Sequence, residues 1–451
     1  MRQAGLVTDN DRYWPNGFFA DLVALFGDDS DEHRWPAELE EIARRAADEL
    51  TAALVTDPRR VLITEAGLRA AFEARLEARW GRALDLADLM VHEAYASGKW
   101  VNESLRPAAV TGLTEKFEVL VRLHARAVMT AREVLALLRS GYSTAALARW
   151  RTLHEVRVVF LLMAAEDEQL SRRYLAHDNT ERLRGQREYE DTWEALGLEP
   201  PDWTVAERED TKAQLATEFG SEFLNDYGWA AEVINRAPRF KDLQKHVGLD
   251  DWRGYYRMAS HGTHANPMGV TWNIQDLGDT NMAWAGPSNA GLVDPAQCSL
   301  IALTDITAGL LAYAIGELPD PVDPEILYSY GFAVVQRRKI EMLRDHAIET
   351  FGEAHNQQVA EEEVLADLIS LATAILQDGT ASTMQDLAAD LAIAPEDLQA
   401  ALDTAVARGE LCQETHYRLS QMEPASSSVS AIASAVRSFL AGLRRPLSRR
   451  S

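Results

Sequence analysis

The chain has 451 residues, 47% hydrophobic and 25% charged, a balance that supports a folded core and more than one domain. Its formal net charge of −25 repels nucleic acid and anionic membranes at long range, so any RNA contact has to be local. The two cysteines, Cys298 and Cys412, fit neither a disulfide framework nor a zinc motif. With no apolar signal core after Met1 and no run of membrane-span length, the expectation is a cytoplasmic protein without membrane attachment.

In chain order, the segment Pro36 to Ala109 reads as helices, including Ala37 to Val55 and Thr64 to Leu86, with Pro107 and Gly112 at its end. Between Lys116 and Arg139, Phe117, Val121, His124, Val128, Ala131, Leu135 and Leu138 recur at helical spacing. Ser140-Gly141-Tyr142-Ser143-Thr144 combines a C-terminal glycine with capping hydroxyls, so a second helix, Ala145 to Ala165, should run back antiparallel. Its stripe Arg151, Glu155, Val158, Leu162 begins ionic and ends apolar, which points to partial burial of the Arg–Glu pair. A third helix is expected from Glu168 to Trp193, with His177 and Glu181 on one face, and a loop from Gly197 to Asp210. A motif helix follows from Asp250 to Ala265, ended by Asn266-Pro267. Residues 267 to 295 lack helical period, Cys298 to Glu317 reads as a helix buried on most sides, and a long helix starts at Pro324.

Residues 361 to 420 follow the order of a winged helix, with helices at Glu362 to Gln377 and Met384 to Leu391 and a further helix start at Pro395. The recognition-helix position carries Glu396, Asp397 and Asp403 against Arg408, which favours protein docking over DNA reading. The tail, 421 to 451, carries Val429, Ile432, Val436, Phe439 and Leu443 on one face and ends in a basic cluster. The expected fold is all-α: an N-terminal helical region (1–110), a central bundle (111–320), a linker helix (321–360), the winged-helix-like module and the amphipathic tail.

Chemistry concentrates in the motif helix. Arg257, His261 and His264 at i, i+4 and i+7 would share one helical face along roughly 10 Å. A guanidinium binds phosphate or carboxylate, and an imidazole titrates near neutral pH. His124, Arg151, Glu155 and His177 fall on faces expected to point into the same bundle. Buried without partners such groups cost several kcal/mol each, so they either satisfy one another or line a wet pocket. Leu120 to Met163 holds seven arginines (122, 126, 132, 139, 149, 151 and 157) against Glu133 and Glu155, a local basic excess that either offers RNA contact or is neutralised by acidic neighbours. No phosphate loop, dinucleotide fingerprint or nucleophile elbow appears, the histidine spacing is a weak metal signal, and no cofactor is implied.

Arg257 and His264, with six residues between them, resemble the Arg-x4–6-His motif of HEPN (higher eukaryotes and prokaryotes nucleotide-binding) domains, although Met258 and Gly262 depart from the usual pattern. A second resemblance spans about residues 110 to 320. Arg151-Thr152-Leu153-His154-Glu155, with Tyr256, Ser260 and His264 downstream, is similar to the bacterial domain of unknown function 5677 family, in which an Arg-x-x-x-Glu helix and a Ser-x-x-x-His segment recur together. The first resemblance implies a helical homodimer acting as a metal-independent RNA endonuclease in bacterial stress or phage defence; the second implies an all-helical fold without an assigned activity. On the nuclease reading Arg257 and His264 act on RNA, Arg151 and Glu155 orient them, and His261, His177 and Ser260 are secondary. The alternative is a helical scaffold or sensor whose polar residues form a buried network and whose C-terminal module recruits a protein partner.

Overall fold

The computed structural model describes residues 35–109, 114–199, 205–235, 237–264, 267–271, 286–318 and 324–377, and among these every regular element is helical. In chain order they are α1 (Trp35–Thr56), α2 (Pro58–Ala109), α3 (Glu115–Arg139), α4 (Ser143–Ala165), α5 (Glu168–Ala176) and α6 (Asp178–Ala195). There follow α7 (Val205–Phe219), α8 (Phe240–His246), α9 (Arg253–His261), α10 (Pro267–Thr271), α11 (Val293–Glu317) and α12 (Pro324–Gln377). Short 3-10 turns at Ser221–Leu224, Gly228–Ala230 and Asp250–Trp252 join the middle elements.

Local chemistry explains where these helices start and stop. The Thr114 side chain accepts from the Phe117 amide and caps α3, and Asp167 accepts from the Gln169 and Leu170 amides to cap α5. At the end of α3, Gly141 adopts φ 76°, the Tyr142 amide donates to the Leu137 carbonyl at 2.9 Å, and the Gly141 amide donates to Leu138 at 3.0 Å. This is a Schellman turn, and it sends α4 back along α3 as the glycine-hydroxyl sequence requires.

Two compact units divide the chain, Met1–Arg75 and Leu76–Ser451. In the first, α1 and the opening turns of α2 bury Ala46 and leave Val55, Leu62, Ile63 and Leu68 exposed. The second unit has α4 at its centre, packed against α3, α11, α8 and α9. Trp150, Leu153, Phe160, Leu162 and Met163 of α4 are fully buried, as are Leu120, Val134 and Leu138 of α3 and Leu303, Ile306 and Leu310 of α11. Helix α12 packs on α11 and reaches α2 through ring pairs Trp100–Phe332 (4.9 Å) and Trp80–Phe351 (6.0 Å).

Four expectations change in detail. The helix from Glu168 to Trp193 is two helices meeting at His177, and the segment taken for a loop to Asp210 is already helical at Val205. The linker helix does not stop before residue 361: α12 continues to Gln377 as one element, so the first helix assigned to the winged-helix module is its end. The remainder of that module and the tail, 378–451, lie outside the described residues. Finally, α11 is long and apolar enough to cross a membrane, with mean hydropathy 1.7 over an 18-residue stretch; 61% of that stretch is buried inside the bundle, the environment of a core helix.

Two glycines test this packing. A Cβ at Gly309 of α11 would lie 2.7 Å from the Phe160 ring, whereas one at exposed Gly185 of α6 meets nothing within 4 Å. Gly185→Ala is therefore expected to stabilise the fold by up to about 1 kcal/mol through helix propensity. Gly309→Ala should destabilise it by about 1–3 kcal/mol through overpacking. Urea midpoints moving in the same direction for both variants would contradict the α4–α11 contact.

Candidate functional site

The site begins on α4, from Ala146 to Ala164 a stretch in which no residue is exposed. Arg151 and Glu155, one turn apart, form an ion pair at 3.1 Å. Tyr256 of α9 enters between them: the Arg151 Nη2 donates to the phenol oxygen at 2.7 Å, and the phenol donates to Glu155 Oε1 at 2.6 Å. The Arg151 guanidinium also lies 4.8 Å over the Tyr256 ring, and Phe240 packs on that ring with centroids 4.8 Å apart. Desolvation and the Glu155 carboxylate hold the phenol protonated far above its ordinary range. Hydrogen bonds to charged groups contribute about 1.5–3 kcal/mol each when shielded, so this half-buried closed triad fastens α9 to α4.

The same α4 surface carries two further polar groups the sequence reading did not single out. His154 is fully buried among Trp150, Trp252, Phe240 and Tyr256, and the Gln244 amide donates to its Nε2 at 2.9 Å. Arg157 pairs with Asp305 of α11 at 2.7 Å and lies 4.8 Å over the Trp252 ring. Trp150, His154 and Arg157 sit at i, i+4 and i+7, so the helical spacing was present; Val156 and Val158 beside Arg157 masked it as an apolar stretch.

Of the predicted residues, the structure brings Arg151 and Glu155 together with Tyr256 and separates the others into different settings. His124 faces α11, with Nε2 3.2 Å from Thr307 Oγ1 and its ring against Gly98. His177, at the junction of α5 and α6, donates from Nε2 to the Asn225 carbonyl at 2.9 Å and lies 3.7 Å from Glu181. Beside it Arg173, buried to 1% exposure, donates to the carbonyls of Phe219, Gly228 and Trp229 and to Glu232, pinning the Gly228–Ala230 turn to the end of α7. The Tyr227 phenol is pushed up by burial and by Glu155, Asp226 and Glu181, and its ring lies 6.3 Å from that of Phe240. Of the two outcomes open to these groups, separate pairings across the bundle prevail over one shared pocket.

The motif helix also differs from its expected form. It is a 3-10 turn followed by α9, which ends at His261, and Gly262 to His264 form a turn. Arg257 and His261 share a face one turn apart, while His264 leaves the helix instead of completing the stripe. Arg257 and His264 are exposed, and no hydrogen bond or ion pair joins them among the described residues. Glycine backs the terminal turn: a Cβ at Gly269 of α10 would lie 2.2 Å from the His261 carbonyl oxygen. The Ser260 hydroxyl donates to the Tyr256 carbonyl at 2.8 Å, within the helix itself.

Five of the seven arginines in the local basic excess meet carboxylates: Arg122 with Glu118, Arg139 with Asp85 and Asp88, Arg149 with Glu133, Arg151 with Glu155 and Arg157 with Asp305. That segment is largely neutralised. Among the described residues no group of three His, Cys, Asp or Glu side chains is placed to share one metal ion.

Residues 117–281 match the model of a family of unknown function, DUF5677, and the triad and the motif segment lie within the matched span. No curated protein and no solved structure matches the chain.

Burial of the histidines makes stability depend on pH. Desolvation lowers His124 to about 4; desolvation, with Arg157 nearby, lowers His154 to about 3. Unfolded, both return to about 6.5, so between that pH and the folded values the unfolded chain binds protons the native state refuses. Their contribution is complete above about pH 6.5 and is lost as pH falls, by up to about 1.4 kcal/mol per pH unit for each histidine. Urea midpoints should drop between pH 6.5 and 5, and His124→Gln should flatten that slope by close to one proton. A slope identical to wild type would show His124 protonates freely in the fold.

Proposed function

We propose that the chain is a HEPN-like, metal-independent RNA endonuclease acting as a homodimer, with Arg257 and His264 as its reacting pair. The supporting observation is the two-sided character of α9: its inner face is fastened through Tyr256 and buried Ala259, while its outer face presents exposed Arg253 and Arg257, with His261 on the same side and exposed His264 just beyond. Neither Arg253 nor Arg257 has a carboxylate partner among the described residues. In a protein of net charge −25, cations left without counter-ions at one helix end are a fitting local contact for phosphate.

In the reaction, the imidazole of His264 takes the proton of a ribose 2′-hydroxyl as that oxygen attacks the adjacent phosphorus. The bond from phosphorus to the 5′-oxygen breaks, and the leaving oxygen receives a proton from His261 as imidazolium. Arg257 stabilises the charge gathering on the phosphoryl oxygens. Arg151 and Glu155 act at a distance, by orienting α9.

With an unstructured RNA and excess chelator, Arg257→Ala and His264→Ala should each lower cleavage by about 10²–10⁴-fold. Both side chains are exposed, so the melting temperature should stay near that of wild type. Full cleavage by both variants ends the nuclease reading.

A scaffold or sensor is the second reading. It is favoured by the closure of Arg151, Tyr256 and Glu155 on one another, and it leaves a winged-helix-like module in the C-terminal region to dock a protein partner. Under it the wild type cleaves no RNA, and Glu155→Ala, which strands Arg151, weakens the fold.

A further inference from the structure

We propose that Tyr256 is a positioning residue: the reception of its phenol by the α4 pair sets the rotation of α9, and with it the direction in which Arg257 and His261 point. As a statement about catalysis this rests on the nuclease reading above. The observations behind it are independent of that reading.

Helix α9 has nine residues, fewer than an isolated helix needs to hold together in water, so its place and rotation come from tertiary contacts. Ala259 contributes packing, which tolerates rotation. The phenol contributes direction, because it must accept from Arg151 and donate to Glu155 at once, at 2.7 and 2.6 Å. Both partners sit on a helix with no exposed turn between Ala146 and Ala164, and Phe240 closes the ring from another side. The two α4 side chains are thereby spent on Tyr256 and do not contact Arg257, whose next-residue offset of about 100° places it toward solvent. The Ser260 hydroxyl, donating to the Tyr256 carbonyl, carries the same anchor to the last turn before His261.

Tyr256→Phe removes the hydroxyl and keeps the ring and its packing. The full-length variant is compared with wild type in steady-state cleavage of an unstructured RNA, in thermal melting, and in amide hydrogen exchange of residues 253–261 with α11 as internal reference. The expected result is a turnover number at least about tenfold lower, since small misplacements of reacting groups act on the chemical step, with KM within about twofold. Exchange in α9 should be at least about tenfold faster and in α11 unchanged, with the variant still cooperatively folded. A purely structural role would lower the melting temperature without separating kcat from KM. Unchanged turnover, or unchanged exchange in α9, overturns the proposal. Should Tyr256→Phe fail to fold, Glu155→Gln replaces it: this variant retains an oxygen to receive the phenol, so α9 exchange near the wild-type rate is expected and exchange as fast as in α9 of an unfolded reference overturns the assignment. If wild-type protein cleaves no RNA, it is the nuclease reading that falls, and the exchange measurement alone then decides whether Tyr256 holds α9.

Discussion

A helix with no exposed residue between Ala146 and Ala164 draws its charged and imidazole side chains into pairs within the protein, although Trp150 Nε1, Arg151 Nε, His154 Nδ1 and Arg157 Nη1 stay without a hydrogen bond among the described residues. That constraint on α4 organises the central unit. Arg151 and Glu155 meet Tyr256, His154 meets Gln244, and Arg157 meets Asp305, so α9, α8 and α11 are each fastened to the same helix by a polar contact set in apolar packing. Apolar burial supplies the drive to assemble these helices, and it is non-directional; the paired polar groups add the direction. Leaving any of them unpaired would cost more than the bond contributes, which is why the pairing also selects the register.

The candidate chemistry stands one layer outside that core. Residues that look alike in sequence divide by what lies behind them. His124, His154 and His177 are buried and held in the neutral form by desolvation, so they serve packing and hydrogen bonding. Arg257 and His264 face solvent at the end of a short helix whose orientation is borrowed from α4. The arginine-rich stretch of α3 and α4 undergoes a similar sorting: five of its seven cations meet carboxylates, and Arg132 lies over the Tyr95 ring.

Much of this was legible before any coordinates. The apolar stripe of α3, the glycine turn at Ser140 to Thr144, and the apolar run after Cys298 depend on local periodicity and backbone preference, and they appear as read. The Arg151–Glu155 pair was legible as a partly buried ion pair because its order along the helix is the weaker one for an exposed surface. The break at His177, the helical start at Val205 and the early end of α9 at His261 were not, since helix ends depend on which neighbour satisfies the terminal groups.

Sequence alone determined the all-helical class, the antiparallel α3–α4 hairpin and the short list of residues able to do chemistry, because periodicity, capping and side-chain type act over a few residues. Only the tertiary structure decided which of those residues are spent on one another and which remain turned to water. Tyr256 shows why: nothing within its own segment specifies a partner, and Arg151 and Glu155, about a hundred residues earlier, become its partners only when burial brings α9 against α4.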